Sequence, residues 1–292
     1  MALPKITIVT PSFNQGRYIE QTIRSVLDQG YPNLEYFIVD GGSTDESVDV
    51  IRKYEKHLAG WVSEKDTGQS HAINKGFCRA SGDLFAYINS DDYFEPGALH
   101  HAAKAYEEGH QWIVGWARYL EADGGEWPYP VKACVDPAHW FVHNPIPQQS
   151  TFWSSQLWKK VGGFSEELHY SFDYEYWMRL RFEGRVSPYV VHQCLAVFRL
   201  HGESKTMAEG DRFHPENDEI HRMYWHNLSP SRRLIVRHRR RLKEANALRG
   251  RAWQALNTHD LAAARKYAFS TFSRASLSIE SWRVLFCAIR GY

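Results

Sequence analysis

Short apolar runs bounded by turn residues alternate with helical periodicity through the first third of the chain. Residues 6–10 (ITIVT) are a β-branched run of the kind buried on both faces of a sheet. Pro11-Ser12-Phe13-Asn14 ends it, and residues 16–29 then place Ile19, Ile23, Val26 and Leu27 on one side of a helix. Residues 34–40 (LEYFIVD) form a second buried strand, followed by the loop Gly41-Gly42-Ser43-Thr44-Asp45. Ser43 or Thr44 can cap a helix over residues 46–54. A weaker strand lies near residues 60–63, a helix over 70–80 and a strong strand over 84–89. This alternation predicts an α/β fold with a mostly parallel sheet flanked by helices. Ligands of such sheets sit at the carboxyl ends of the strands, so the loops after Thr10, Asp40 and Asn89 should converge.

Beyond Asp92 the pattern loosens. A helix is expected over residues 97–108, a strand over 112–120 and a turn-rich stretch over 122–130. Order returns with a loop at 144–149, a strand at 150–153 and a helix at 156–161 that Gly162-Gly163 stops. Residues 174–183 read as helix and 190–200 as a long strand. From about residue 207 strand signals vanish and the tail is helical, dense in Arg and Ala. Two regions follow, a sheet domain over residues 1–205 and a basic, amphipathic helical appendage over 206–292.

An apolar fraction of 43% supplies a real core, which argues against disorder. Lys+Arg 35 against Asp+Glu 34 argues against wholesale nucleic-acid binding. Carboxylates concentrate before residue 220, however, and arginines after 230. The 11 Trp and 16 Tyr read first as core filling. Cys78, Cys134, Cys194 and Cys287 show no CxxC pair and read as buried thiols of a reducing compartment. With no signal-peptide pattern and no run of about 18–20 apolar residues, a cytoplasmic location is expected, with peripheral contact at the inner face of the membrane left open.

Asn89-Ser90-Asp91-Asp92 follows a strongly apolar strand, and a carboxylate there is well placed to hold Mg²⁺ or Mn²⁺. The alternative is an Asx turn or a cap for the helix that starts near Pro96. Asp40 also ends a strand, where it can accept hydrogen bonds from a nucleobase or ribose. Gly41-Gly42 is not a phosphate-binding Walker loop, because no GxxxxGK[ST] is present.

Four segments, in order, resemble family 2 glycosyltransferases, which have the GT-A (Rossmann-like) nucleotide-sugar fold. TIVTPSFNQGRYIEQTIRSVLDQGYPNLEYFIVDGGSTDES resembles their opening and SEKDTGQSHAINKGFCRASGDLFAYINSDDYFEPGAL their second segment. PIPQQSTFWSSQLWKKVGGFSEELHYSFDYEYWMRL resembles the acceptor-side segment and FRLHGESKT the closing one. The resemblance covers roughly residues 4–205. It implies a metal-dependent, inverting transfer of a sugar from a nucleoside diphosphate donor, a UDP-sugar above all, to a hydroxyl of a saccharide or lipid-linked saccharide. Surface polysaccharide biosynthesis is the setting it suggests.

By the same resemblance Pro11 and Phe13 line the nucleoside pocket, Asp40 contacts the base, and Asp66, Asn74 and Lys75 close over the nucleotide. Asp91 binds the metal, with Ser90 and Asp92 beside the donor, and His201 reaches the metal or the diphosphate. Asp173 is the catalytic base. The chain departs from the family pattern at Asn89, an amide in place of the first carboxylate of the DxD motif, and at His71, where many members are acidic. Phe172 also takes the place of the acidic neighbour of Asp173.

In the tail, residues 231–243 (SRRLIVRHRRRLK) pack seven Arg/Lys into thirteen positions, and Trp282, Leu285, Phe286 and Ile289 share a face of the last helix. Such helices either lie on an anionic membrane surface or fold back as a hairpin on the catalytic domain. Two rival functions remain at this level: a metal-dependent nucleotidyltransferase, and a carbohydrate- or nucleotide-binding module without catalysis.

Overall fold

A computed structural model describes residues 3–129, 131 and 136–291. The strands are β1 (Ile6–Ser12), β2 (Leu34–Asp40), β3 (Gly60–Ser63), β4 (Leu84–Tyr87), β5 (Tyr93–Phe94), β6 (Trp112–Glu121), β7 (Glu126–Tyr129), β8 (Thr151–Ser154) and β9 (Tyr189–Leu200). Helices α1 (Gly16–Leu27), α2 (Ser47–Tyr54), α3 (Gln69–Phe77) and α4 (Ala98–Glu107) lie among the first strands. Then follow α5 (Pro137–Trp140), α6 (Ser155–Val161), α7 (Phe172–Phe182), α8 (Lys205–Ala208) and α9 (Phe213–Tyr224). Helices α10 (Pro230–Asn257), α11 (Leu261–Arg274) and α12 (Ile279–Arg290) complete the chain.

The chain forms two compact units, residues 1–136 with 144–224, and residues 137–143 with 225–292. The first is built on a sheet of order β3-β2-β1-β4-β8-β6-β9-β5, with β7 paired to β6. β3, β2, β1 and β4 are mutually parallel, and β6 and β9 are parallel further along, while β8, β5 and β7 run the other way. The fold is therefore α/β with a mostly parallel sheet. Every residue of β1 is buried, as a β-branched central strand covered on both faces requires. Ile19, Ile23 and Val26 of α1 pack with Ile6, Ile8 and Ile38 in one core. On the helix α3, a Cβ at Gly76 would lie 2.5 Å from Val9 Cγ1, so only glycine allows that helix to approach β1 so closely.

Neither Ser43 nor Thr44 caps α2; Asp45 does so, its Oδ1 accepting from the Ser47 N–H at 3.0 Å, while Ser43 turns to Asp40. The stretch after β6 forms a hairpin with β7, placing Tyr119 against Trp127. Cys78 is exposed and Cys194 and Cys287 are half-buried, so the described cysteines are not sealed in the core; Cys134 lies outside the described residues. Among the described residues no helix is long and apolar enough to cross a membrane.

The second unit is a helical cluster in which Ala252, Ala255, Leu256, Ala264, Ala268, Val284 and Ala288 are packed together. Small residues at these positions let α10, α11 and α12 approach closely.

Candidate functional site

A cavity of about 460 Å³ opens at the carboxyl ends of β1 and β4, where a parallel sheet is expected to bind. Pro11, Phe13, Asp66, Ser90, Asp91 and Asp173 all line it. Segments far apart in sequence thus meet on one wall.

The loop carrying Asp91 is held from below. Thr22 Oγ1 of α1 donates to the carbonyls of Ser90 and Asp92 at 2.8 and 2.6 Å. Arg199 on β9 donates through its guanidinium to the Asp91 carbonyl and to Gln21, and stacks over Tyr93 at 4.8 Å and Tyr18 at 5.4 Å. These contacts leave the Asp91 side chain facing the cavity, with Oδ2 3.0 Å from His201 Nε2. The Nδ1 atom of His201 is buried and makes no hydrogen bond. A carboxylate oxygen and an imidazole nitrogen converging in this way would suit a divalent cation such as Mn²⁺ or Mg²⁺. Among the described residues no group of three or more His, Cys, Asp or Glu side chains forms a closed metal cage.

Asp92 differs from its neighbour. It is wholly buried, and its Oδ1 accepts from the Arg199 backbone N–H at 3.0 Å, tying the loop to β9. Burial, with the adjacent Asp91 charge, pushes its carboxyl well above the usual carboxylate range. The departure at Asn89 follows from this arrangement. Its amide accepts from Gln69 Nε2 at 2.6 Å and donates toward Gln148 at 3.3 Å and Asp92 at 3.4 Å. A carboxylate there would add repulsion to Asp92 and lose both donated bonds.

Asp173 sits in the first turn of α7, half-buried in the cavity wall. Burial raises its pKa to about 6; the Tyr174 backbone N–H, 2.7 Å from Oδ1, opposes the rise and the Glu216 charge adds to it. Glu216 on α9 also accepts from three successive backbone N–H groups, those of His169, Tyr170 and Ser171, at 2.9, 2.9 and 2.7 Å. One carboxylate thus fixes the turn that aims Asp173. Tyr176 and Trp177, further along α7, are fully buried core side chains.

The structure does not bring every expected residue to the cavity. Asp40 is 0% exposed and its carboxylate is fully engaged. Gly42 N, Ser43 N and Ser63 Oγ donate to Oδ2 at 3.1, 2.9 and 2.7 Å, and Ser43 Oγ donates to Oδ1 at 2.5 Å. Asn74 bonds the Phe164 backbone in both directions and Glu166 Oε1 at 2.8 Å, so it staples α3 to a distant loop. Lys75 is ion-paired to Glu64.

The carboxylate that does reach the cavity near Asp40 is Asp66. A Cβ on Gly41 would lie 2.7 Å from Asp66 Oδ2 and 3.3 Å from the Phe13 ring, so the absent side chain makes room for both. Asp66 Oδ1 accepts from Gly68 N at 3.0 Å, and the Phe13 ring is 61% exposed. Lys205, not singled out in the sequence, also lines the cavity and donates to Gln69 Oε1 at 3.3 Å and the His169 carbonyl at 3.1 Å. It lies four residues beyond His201 in the FRLHGESKT segment, which was its only signal.

Residues 7–175 match Glycosyl transferase family 2. An uncharacterized glycosyltransferase of Mycobacterium tuberculosis is 31% identical over 182 residues, covering 60% of this chain and 68% of that protein. TuaG of Bacillus subtilis, assigned to teichuronic acid biosynthesis, is 40% identical over 101 residues, 33% of this chain and 39% of TuaG. In fold, the chain is similar to Staphylococcus aureus TarS 1-349 in complex with UDP-GlcNAc, with a TM-score of 0.58, 18% identity and coverage of 97% and 79%. It is also similar to the Pyrobaculum calidifontis mannosyltransferase PcManGT in complex with GDP-Man and Mn²⁺, with a TM-score of 0.61, 15% identity and coverage of 99% and 81%.

Proposed function

The chain belongs to glycosyltransferase family 2, and from that premise we propose that it transfers a sugar with inversion, from a nucleoside diphosphate donor to a saccharide or lipid-linked hydroxyl, with Asp173 as the base. One observation carries this reading. Asp173, with a pKa raised to about 6, and Asp91, paired with His201, line the same cavity.

A carboxyl of that pKa is ionised at neutral pH yet a better proton acceptor than an ordinary aspartate. Asp173 takes the proton of the acceptor hydroxyl as its oxygen bonds to the anomeric carbon. The bond from that carbon to the diphosphate breaks on the opposite face, so one displacement inverts the centre and releases the nucleoside diphosphate. Asp91 and His201 would hold Mn²⁺ or Mg²⁺, which supplies positive charge to the departing diphosphate. Lys205 adds a protein cation on the same wall.

For contact with the nucleobase, Asp66 is the better candidate than Asp40. Its Oδ1 is held by Gly68, which leaves Oδ2 beside the exposed Phe13 ring. A single carboxylate oxygen next to an aromatic face suits the lone imide N–H of uracil, which supports a UDP-sugar donor. The relationship to TuaG supports a role in surface polysaccharide biosynthesis.

The test is Asp173→Asn in a purified transfer assay with a nucleotide-sugar panel. Turnover should fall by about 10²–10⁴ while donor KM changes little. Near-normal turnover would remove Asp173 from the role.

A further inference from the structure

The second unit carries a surface that sugar transfer does not use. Helix α12 buries Ser281, Val284, Leu285 and Ala288 against its neighbours. Its opposite face is apolar as well: Ile279, Trp282, Phe286 and Ile289 recur at helical spacing and are 53–82% exposed. Beside them on α11, Phe269 is exposed one turn before Phe272, whose ring packs 4.5 Å from Trp282. Leu277, in the turn that enters α12, is almost wholly exposed. A helix apolar on both sides, with one side unpartnered, is unusual for a water-facing element.

Charge identifies what covers it. Residues 225–292 hold 14 Arg and Lys against 3 Asp and Glu, a net +11, while residues 1–224 hold 21 against 31, a net −10. Arg283 and Arg290 flank the apolar stripe on α12, Arg290 lying 4.3 Å from the Phe286 ring. An aliphatic and aromatic ridge bordered by arginines on a strongly cationic body matches a bilayer interface with anionic headgroups. A second copy of the same face would bring like charges together, and nucleic acid would have no use for the ridge.

We propose that the α11–α12 face docks on the surface of an anionic phospholipid bilayer, with Ile279, Trp282, Phe286 and Ile289 entering the headgroup region and the flanking arginines meeting the phosphates. This docking is independent of the chemistry at Asp173 and is measured without sugar substrates.

The full chain is mixed with sucrose-loaded vesicles of phosphatidylcholine alone or with about a third phosphatidylglycerol, and sedimented. Binding to the anionic vesicles should be about ten-fold or more stronger than to the neutral ones. The Phe286→Glu/Ile289→Glu variant should lose most of that binding while keeping its melting temperature and its donor turnover in solution. Arg283→Gln/Arg290→Gln should weaken binding by a smaller factor and reduce its salt dependence. Absence of wild-type binding to anionic vesicles would overturn the proposal, as would equal binding by the Glu variant. Light scattering that shows a dimer split by Phe286→Glu/Ile289→Glu would also overturn it, assigning the face to a second copy.

Discussion

In the sheet unit Asp40 and Asp92 are fully buried with their carboxylates hydrogen-bonded, whereas in the helical unit large apolar side chains stand in solvent. Asp40 accepts from four donors and Asp92 is sealed against β9, while Ile279, Trp282, Phe286 and Ile289 share an exposed face of α12. Each departure from the usual inside-outside rule needs its own compensation. Buried charge is stabilised by hydrogen bonds, or else it shifts its pKa, as at Asp92 and Asp173. Exposed apolar area has no such internal remedy and points outward to a partner. The first region is organised for chemistry within the fold and the second for contact beyond it.

Substitutions that exchange the two kinds of residue should therefore behave asymmetrically. Asp40→Ala strands two backbone and two hydroxyl donors, and should lower unfolding free energy by about 3 kcal/mol or more in urea titrations. A smaller effect that mainly altered donor KM would place Asp40 in contact with the nucleotide after all. Gly41→Ala puts a methyl group against Asp66 and Phe13, so donor KM should rise about ten-fold, or roughly 1.4 kcal/mol, with kcat less affected. Unchanged KM would leave the pocket beside Asp66 without a role. Phe286→Glu/Ile289→Glu changes only exposed side chains and should shift unfolding free energy by no more than about 0.5 kcal/mol per site.

Much of the sheet unit was legible because its signals are local. The runs ITIVT and LEYFIVD became β1 and β2, with β1 extended by two residues and β2 matching residue for residue. The two-residue β5 and the largely exposed β7 carry no apolar run, and pairing partners far along the chain create them. Asp91, Asp173 and His201 were placed by motif order, and the first two meet on the cavity wall with His201 hydrogen-bonded to Asp91. Asp40 was assigned to the nucleobase from its place in the family motif, and nothing in VDGGSTD reveals that Ser63, 23 positions later, donates to its Oδ2. Asn74 depends on Phe164 and Glu166, some 90 residues away, in the same manner. Helix α9 was grouped with the tail, yet its Glu216 fixes the turn before Asp173, a contact only the folded chain creates.

Asp173 is held in the shared cavity against its own ionisation. With its folded pKa raised from 3.8 to about 6, its favourable contribution is complete below pH ~4 and is lost as pH rises through about 6. Above that range the ionised group costs the fold up to about 3 kcal/mol. The decisive measurement is the unfolding free energy of wild type and Asp173→Asn at pH 4 and pH 7.5, with turnover recorded on the same preparations. Asp173→Asn should be more stable than wild type at pH 7.5, indistinguishable from it at pH 4, and nearly inactive, beside a wild-type rate that climbs through pH 6. A variant with wild-type turnover, or one whose stability tracks wild type at both pH values, would contradict this expectation.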